Sequence, residues 1–258
     1  MIKEKLLAGI LSVVLLAGAS DMGAVYAANG AGEVSSIEID GFMLDDYTTT
    51  YVGDDKNVSG KKIQWVNLKN AAGVSYGYRS YKYDSKKRVV KVVDHRNDGV
   101  TPDTETVFLY DKNANLKKIT KTCAGEIVNQ TVRDIDTDGY LTGENYYNKN
   151  GEYGYSKFTF KDNRIIKQLR MSYANGNKKD RIRYKYNFND NITSVSGGGC
   201  NCKFVYDSDE RLIRARVNID GIRQKYKCTY DGDGYLSRMT VDNGVAQYTE
   251  VFHYKTKK

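Results

Sequence analysis

Three aspartates at alternate positions are the residues of this 258-residue chain best spaced to bind a metal ion. Asp134, Asp136 and Asp138 match the start of a calcium loop, in which oxygens at alternate positions converge on one ion. The twelfth position of such a loop is Asn145 instead of a bidentate glutamate, and a related Asp-Gly-Asp-Gly run recurs at 231–234. We therefore interpret the run as turn chemistry first, keep calcium as the alternative, and predict no cofactor.

Aromatic rings are the second candidate chemistry, because the chain contains 22 tyrosines and a single tryptophan. Rings can stack on sugar faces, and the densest group comprises Tyr146, Tyr147, Tyr153 and Tyr155. The alternative is ordinary cross-strand pairing within a sheet. Trp65 is a further candidate platform, for which packing is again the alternative. These five residues are the predicted binding residues.

Catalytic patterns are missing from the sequence. His95 and His253 lie far apart in sequence, and no nucleophile elbow, zinc-protease helix motif or phosphate loop is present. Carboxylates are plentiful but fall mostly in turn-like segments. A pair for glycoside hydrolysis would need a cleft that no segment indicates. We predict that the protein is not an enzyme.

Four cysteines, Cys123, Cys200, Cys202 and Cys228, permit disulfides in an exported chain. In a flat meander Cys202 and Cys228 would lie two strands apart, roughly 9.6 Å, which is too far for a bridge. A rolled sheet or a bulge at Gly197–Gly199 could change that spacing. Partly free or strained thiols are the default, and the pairing stays open.

The elements that must position these residues are strands joined by acidic turns. The segment 230–236, Tyr-Asp-Gly-Asp-Gly-Tyr-Leu, has counterparts anchored at positions 83, 110, 135, 160, 186 and 206, at intervals of 20 to 27 residues. Asp, Asn and Gly favour turns, and further Gly-containing turns fall between the anchors. The stretch 181–188 alternates charged and apolar residues, which is typical of a half-buried strand. The pattern predicts an all-β antiparallel meander of β-hairpin repeats in a single twisted or curved sheet.

Three regions follow from this pattern. Residues 1–27 resemble a cleaved signal peptide, with Lys3 and Lys5 before a short apolar run and small residues ahead of Ala28. Residues 28–75 are predicted to form a lead-in and an N-terminal cap over the open edge of the sheet. Residues 76–258 are predicted to form the array. No stable membrane span is expected after cleavage, and the mature chain should be secreted or held at a bacterial surface.

The formal net charge of +8 admits nucleic acid, anionic lipid or an acidic polymer as partners. Acidic residues are interspersed among the basic ones, so we favour the simpler interpretation that Lys and Arg keep an exposed sheet soluble and blunt its edges. Nucleic acid is not predicted as a partner.

The array resembles the RHS/YD-repeat family of secreted bacterial proteins. The residues that carry the resemblance are Tyr83-Asp84, Tyr110-Asp111 and the segments 206–212 and 230–236. It implies a winding β-hairpin sheet at the cell surface or in the medium, associated with carbohydrate binding, adhesion or toxin encapsulation. About seven units are too few for a large closed shell.

The expected function is therefore that of an exported, non-enzymatic binding or structural module, with a glycan or cell-wall polymer as its ligand. The alternative is an accessory component of an interbacterial toxin system that acts through protein partners, whose identity the sequence leaves unknown.

Overall fold

The computed structural model describes residues 62–85, 88–113, 115–137, 141–161, 164–173, 178–189, 191–219 and 221–255. The predicted signal peptide and most of the predicted lead-in lie outside these residues. Within them the chain forms sixteen antiparallel strands, each paired with its sequence neighbours, and the sheet closes into a barrel. No helix in the described ranges has the length and apolar character needed to cross a membrane.

The sixteen strands follow one another around the barrel in chain order. They are β1 (Lys62–Lys69), β2 (Ser75–Tyr83), β3 (Val89–Arg96), β4 (Thr104–Tyr110), β5 (Leu116–Cys123), β6 (Glu126–Ile135), β7 (Leu141–Asn148), β8 (Gly151–Lys161), β9 (Arg164–Ser172), β10 (Lys178–Tyr186), β11 (Ile192–Gly197), β12 (Cys200–Tyr206), β13 (Leu212–Ile219), β14 (Ile222–Tyr230), β15 (Leu236–Asp242) and β16 (Gln247–Lys255).

The closure of the sheet corrects the fold expected from the sequence. Val66 of β1 lies opposite Phe252 of β16 on one side and opposite Arg79 of β2 on the other. The expectation of an open, single twisted or curved sheet is wrong. Strand β1 falls in the segment expected to cap an open edge, but it is a wall strand with both edges paired. A barrel leaves no unpaired edge, so no cap is required.

Acidic turns join each even strand to the next odd strand at one end of the barrel. In the turn after β12, Oδ1 of Asp207 accepts the amide hydrogens of Asp209 and Arg211, at 3.0 and 2.9 Å. The amide of Asp207 donates to the carbonyl oxygen of Arg211 at 2.9 Å. The same pair of bonds to the residue four positions on is made by Asp84, Asp111, Asn187 and Asp231. A side-chain acceptor that satisfies loop amides explains why Asp or Asn begins these turns.

Tyrosines near the ends of six of the eight even strands tie those strands to the strand before them. Each donates its hydroxyl to the carbonyl oxygen at the beginning of the preceding odd strand, over 2.7–2.9 Å. The six tyrosines are Tyr83, Tyr110, Tyr186, Tyr206, Tyr230 and Tyr254. Strands β6 and β8 have Ile135 and Phe160 at this position, which carry no hydroxyl group.

The barrel interior is packed with side chains from every second position of the wall. In β10, Ile182 and Tyr184 are buried whereas Arg181 and Arg183 are exposed. From β10 round to β1 the buried side chains are largely apolar, and they form one continuous cluster with residues of β2, β3, β4 and β9. The strand period of two therefore separates an apolar interior from a charged exterior.

Polar side chains are also buried inside the barrel, and they are paired. Arg133 donates through Nε to Glu144 at 2.9 Å, and Glu144 also accepts the hydroxyl of Tyr146 at 3.0 Å. Arg79 donates to Asp94 at 2.5 Å and to Glu250 at 3.3 Å. Such pairing offsets the cost of removing these charges from water.

Candidate functional site

Three tyrosines lie together on the outer wall of β7–β9, and we call them the tyrosine cluster: Tyr147, Tyr155 and Tyr173. Tyr147 pairs with Glu152 across β7 and β8, and Tyr155 pairs with Asn145. Tyr173 follows β9 directly, and its amide donates to the carbonyl oxygen of Tyr153 at 2.9 Å. Neighbouring outward positions of adjacent strands therefore bring the three rings to one patch.

The tyrosine cluster is arranged around Glu152. The hydroxyl of Tyr173 donates to Oε1 of Glu152 at 3.1 Å. The ring of Tyr173 meets that of Tyr155 edge to face, with centroids 6.3 Å apart at an interplanar angle of 62°. The ammonium group of Lys157 lies 5.9 Å from the centroid of the Tyr155 ring. Tyr173 is 40% exposed, so part of its ring surface meets solvent.

A shallow depression lies beside these rings, and Gly143 forms part of its lining together with Asp134, Asn145 and Glu152. The side-chain amide of Asn145 donates to Oδ2 of Asp134 at 3.3 Å. A Cβ atom at position 143 would come within 3.0 Å of Oδ2 of Asp134 and 3.3 Å of the Ser156 carbonyl oxygen. The glycine therefore allows the Asp134 carboxylate and the Ser156 carbonyl oxygen to approach the backbone closely.

The electrostatics of the patch keep its phenols protonated. Partial desolvation, followed by the neighbouring charge of Glu152, raises the pKa of Tyr147 above its ordinary value. Partial desolvation also raises the pKa of Tyr173, with the hydrogen bond to Glu152 as the next cause. Protonated phenols beside a carboxylate offer both donors and acceptors, and hydroxylated ligands need both kinds of group.

Strand register divides the four tyrosines predicted from the sequence into two pairs. Tyr147 and Tyr155 face outward, as described above. Tyr146 is 1% exposed and bonds to the buried Glu144. The ring of Tyr153 lies 6.1 Å from that of Tyr146, and its hydroxyl donates to Asn129 at 3.4 Å. Tyr146 and Tyr147 differ by ordinary strand alternation, whereas Tyr153 and Tyr155 differ because Tyr153 is the extra residue of a bulge, where Tyr146 pairs with Gly154 and Tyr147 with Glu152. Tyr146 and Tyr153 pack inside the barrel.

Trp65 lies on another part of the wall. Its ring stacks on that of His253, with centroids 3.8 Å apart and planes 12° apart. Barrel closure produces this contact, since it pairs β1 with β16. Burial, followed by the charge of Lys69, lowers the pKa of His253, which favours a neutral ring in the stack. One face of Trp65 is thus covered by the protein itself.

The calcium candidate is not assembled in the described part of the chain. Asp134 accepts from Asn145, Asp136 lies in the turn after β6, and Asp138 is outside the described residues. Among the described residues no group of three or more His, Cys, Asp or Glu side chains converges to hold a metal ion.

The four cysteines are all free thiols. Cys200, Cys202 and Cys228 are buried in the apolar interior, and Cys123 is partly exposed. Burial raises the pKa of the Cys202 thiol to about 11 and that of the Cys228 thiol to about 12. These thiols are packing groups in their protonated form.

Sequence reasoning did not identify Tyr173, Glu152 or Lys157 as parts of a site. The available signal was the alternation within 151–161, which places Tyr155, Lys157 and Thr159 on one face of β8. The neighbouring strands of a meander could then have supplied Tyr147 and Tyr173. Glu152 could not have been assigned in this way, because the bulge in β8 shifts its side.

Comparison with known proteins finds similar structures but no matching family or curated protein. A porin-like protein from Bacteroides uniformis ATCC 8492 is similar over 75% of this chain and 98% of its own, at 11% identity and a TM-score of 0.48. A porin-like protein from Bacteroides vulgatus ATCC 8482 is similar over 76% and 99%, at 13% identity and a TM-score of 0.33.

The structure of a TcdB2–TccC3–Cdc42 complex is similar over 69% of this chain, at 14% identity and a TM-score of 0.31. This chain spans 12% of the length of that one. None of these comparisons supports the RHS/YD-repeat resemblance, and the closed barrel contradicts the open repeat sheet inferred from it. The site must therefore be interpreted from its own geometry.

Proposed function

We propose that this protein is an exported, non-enzymatic bacterial binding protein whose barrel is a rigid support for a carbohydrate site at the tyrosine cluster. The observation that carries the proposal is the edge-to-face arrangement of Tyr155 and Tyr173 beside Glu152, next to a shallow depression. Rigid wall strands hold these groups in place without a ligand, which lowers the entropic cost of binding.

The chemistry of the patch suits a sugar. The C–H faces of a pyranose pack on aromatic rings, and Tyr155 and Tyr173 present two rings at an angle. Sugar hydroxyls require acceptors and donors at the edge of the rings, which Glu152, Asn145 and Lys157 supply. The neighbouring ammonium group also suits a carboxylated or phosphorylated saccharide.

The spacing of the carboxylates supports binding without hydrolysis. Asp134 of β6 and Glu152 of β8 both line the depression, two strands apart. Asp134 lies opposite Gly143 and Glu152 opposite Tyr147, four residues further along β7, so their backbones are more than the roughly 9.6 Å of two strand spacings apart. Retaining glycosidases need about 5–5.5 Å between carboxyl groups, which this placement disfavours.

The outer wall supports a location in water at or outside the cell surface. Arg181, Arg183 and Lys185 point outward from β10 and are exposed. A cationic side chain on a lipid-facing strand costs about 2–4 kcal/mol at the bilayer midplane. A wall of this composition is suited to solvent and soluble ligands, and the signal-peptide pattern of 1–27 supports export.

Two alanine variants test the proposal. The purified protein is applied to a glycan array and to isolated peptidoglycan, and affinity for the best-retained ligand is measured by calorimetry. We expect Tyr155→Ala and Tyr173→Ala each to weaken binding by about tenfold or more. Tyr78→Ala is the matched control, because Tyr78 is another outward, 42% exposed tyrosine that stacks on His95 away from the cluster.

Thermal unfolding of all three variants identifies any loss that comes from misfolding. Absence of wild-type binding to every glycan tested would refute the proposal. Equal weakening by the Tyr78 variant and the cluster variants would also refute it.

A further inference from the structure

A separate part of the outer wall, on β10 to β15, is strongly cationic. Twelve Lys and Arg side chains of these strands are exposed there: Lys178, Lys179, Arg181, Arg183, Lys185, Lys203, Arg214, Arg216, Arg223, Lys225, Lys227 and Arg238. The six strands contain only two acids. Asp180 pairs with the buried Arg170 at 2.8 Å, and Asp242 lies 3.4 Å from Lys225.

The acids that follow these cations in the sequence lie elsewhere in three dimensions. Asp207 and Asp209 occupy the turn after β12, where both pair with Arg211 at 2.8 and 2.9 Å. Asp231 and Asp233 lie in the turn after β14. Basic and acidic residues are interspersed along the sequence, but the basic ones lie on the strands and the acidic ones in the turns. The outer wall of these strands therefore keeps its positive charge.

Strand register puts like charges directly opposite one another. Lys203 of β12 lies opposite Arg216 of β13, which lies opposite Lys225 of β14. In the adjacent row Arg214 lies opposite Lys227. We call these five residues the cation ladder. Like charges directly opposite one another destabilise a sheet.

Acidic side chains neutralise almost none of the positive charge of the cation ladder. In the part of the chain that the structure describes, Lys203, Arg214, Arg216 and Lys227 form no ion pair, and only Lys225 at the edge has an acidic neighbour. Neighbouring strands are about 4.8 Å apart, so the ladder presents positive charges at regular, short intervals across the wall. A chain of closely spaced anions complements such a surface.

The groups between the cations indicate which kind of polyanion fits. Ser194 of β11 occupies an outward position in the row of Lys203, and Ser196 of β11 and Asn201 of β12 occupy outward positions in an adjacent row. The tyrosines of β10, β12 and β14 point inward, and the one exposed ring near these strands in the described residues, Phe188, lies in the turn after β10 at the end of the wall. Single-stranded nucleic acids are held largely by stacking on rings, and duplex reading requires an element that enters a groove.

Hydroxyl and amide groups beside guanidinium groups suit a polymer that carries both carboxylates and hydroxyls. Arginine forms paired hydrogen bonds with a carboxylate, which a flat array of Arg and Lys can repeat along a chain. We propose that the cation ladder binds a carboxylated acidic polysaccharide along the outer wall of β12–β14. This site lies on other strands than the tyrosine cluster and does not depend on it.

The test compares two charge-matched variants of the full chain. The wall variant is Lys203→Gln, Arg214→Gln, Arg216→Gln and Lys227→Gln; the control is Lys82→Gln, Lys112→Gln, Lys118→Gln and Lys161→Gln, which removes four cations from other strands and turns. Binding to polygalacturonate is measured by biolayer interferometry at low and high salt, with dextran as the neutral polymer and a 20-base-pair DNA duplex as the competing polyanion.

We expect the wall variant to bind polygalacturonate about tenfold or more weakly than the wild type, and the control to retain its affinity. Added salt should weaken wild-type binding, because it screens exposed charges. The wall variant should also keep or raise the melting temperature, since it relieves repulsion, so lost binding cannot be ascribed to unfolding.

Three results would overturn the proposal: no wild-type binding to polygalacturonate, equal losses in both variants, or tighter wild-type binding to the duplex than to the polysaccharide. Failure at the tyrosine cluster would leave these measurements unaffected, because both variants keep Tyr155 and Tyr173.

Discussion

The hydroxyl of Tyr206, the last residue of β12, donates a 2.9 Å hydrogen bond to the carbonyl oxygen of Ile192, the first residue of β11. The bond satisfies a carbonyl group at the very end of a strand, where ladder partners run out. Five other tyrosines make the equivalent bond around the same end of the barrel.

Replacement of Tyr206 by Phe should lower the free energy of unfolding by about 1 kcal/mol, because the ring stays in place while the carbonyl oxygen loses its donor. Urea denaturation monitored by circular dichroism measures the change. Tyr78→Phe is the control, since Tyr78 is 42% exposed and its hydroxyl makes no hydrogen bond within the described ranges. Equal effects of the two substitutions would contradict a structural role for the Tyr206 bond.

The buried pair of Arg133 and Glu144 gives a second prediction. Glu144 is 0% exposed and accepts from both Arg133 and Tyr146. Arg133→Ala should cost about 3–5 kcal/mol, because it leaves a buried carboxylate without its cation. The double variant Arg133→Ala with Glu144→Ala should be more stable than Arg133→Ala alone, as measured by chemical denaturation. Additive losses would show that the pairing of charges is not the reason for the cost.

Thiol labelling gives a third prediction, since burial separates the cysteines into two classes. Native protein treated with a maleimide at neutral pH should be modified at Cys123 and spared at Cys200, Cys202 and Cys228. Thiolate is the reactive form, and burial raises the pKa of the Cys202 and Cys228 thiols to about 11 and 12. Peptide mass spectrometry locates the label, and denaturant should expose all four. Native labelling of Cys228 would contradict this packing.

The same raised pKa values make stability depend on alkaline pH. Above about pH 9 the unfolded thiols lose their protons while the native ones keep them, so the unfolded state binds fewer protons and stability falls as pH rises. The buried phenols of Tyr146 and Tyr226, whose pKa values burial also raises, contribute in the same direction at higher pH. Unfolding at pH 8 and pH 10 measures the slope, which Cys228→Ala should reduce.

The sequence indicated the strands and turns well because their signals are local. Alternation in 181–188 places Ile182 and Tyr184 on the buried face, as observed, and the Tyr-Asp positions do stand where even strands turn into odd ones. Side-chain acceptors such as Asp207 shape a turn with only the next four residues, so neighbouring sequence suffices.

Closure and register could not be predicted in the same way. Val66 and Phe252 show the same alternation whether they pair across a seam or lie on opposite free edges. Tyr153 and Tyr155 show why the outward-facing rings of the candidate site were only partly identified. An extra residue at a bulge exchanges inside for outside, and no local composition marks where that happens. Tyr173 was not among the residues predicted from the sequence, because its contact with the Tyr155 ring comes from pairing between strands and not from closeness along the chain.

The seam between β1 and β16 also has a kinetic consequence. It joins the first and last strands described, and the Arg79–Glu250 pair beside it spans 171 residues of sequence. While the wall assembles, β1 must wait, with one hydrogen-bonding edge exposed, until β16 pairs with it. Distant pairings of this kind are slow to form, so the half-made wall is the species most prone to pair with another chain.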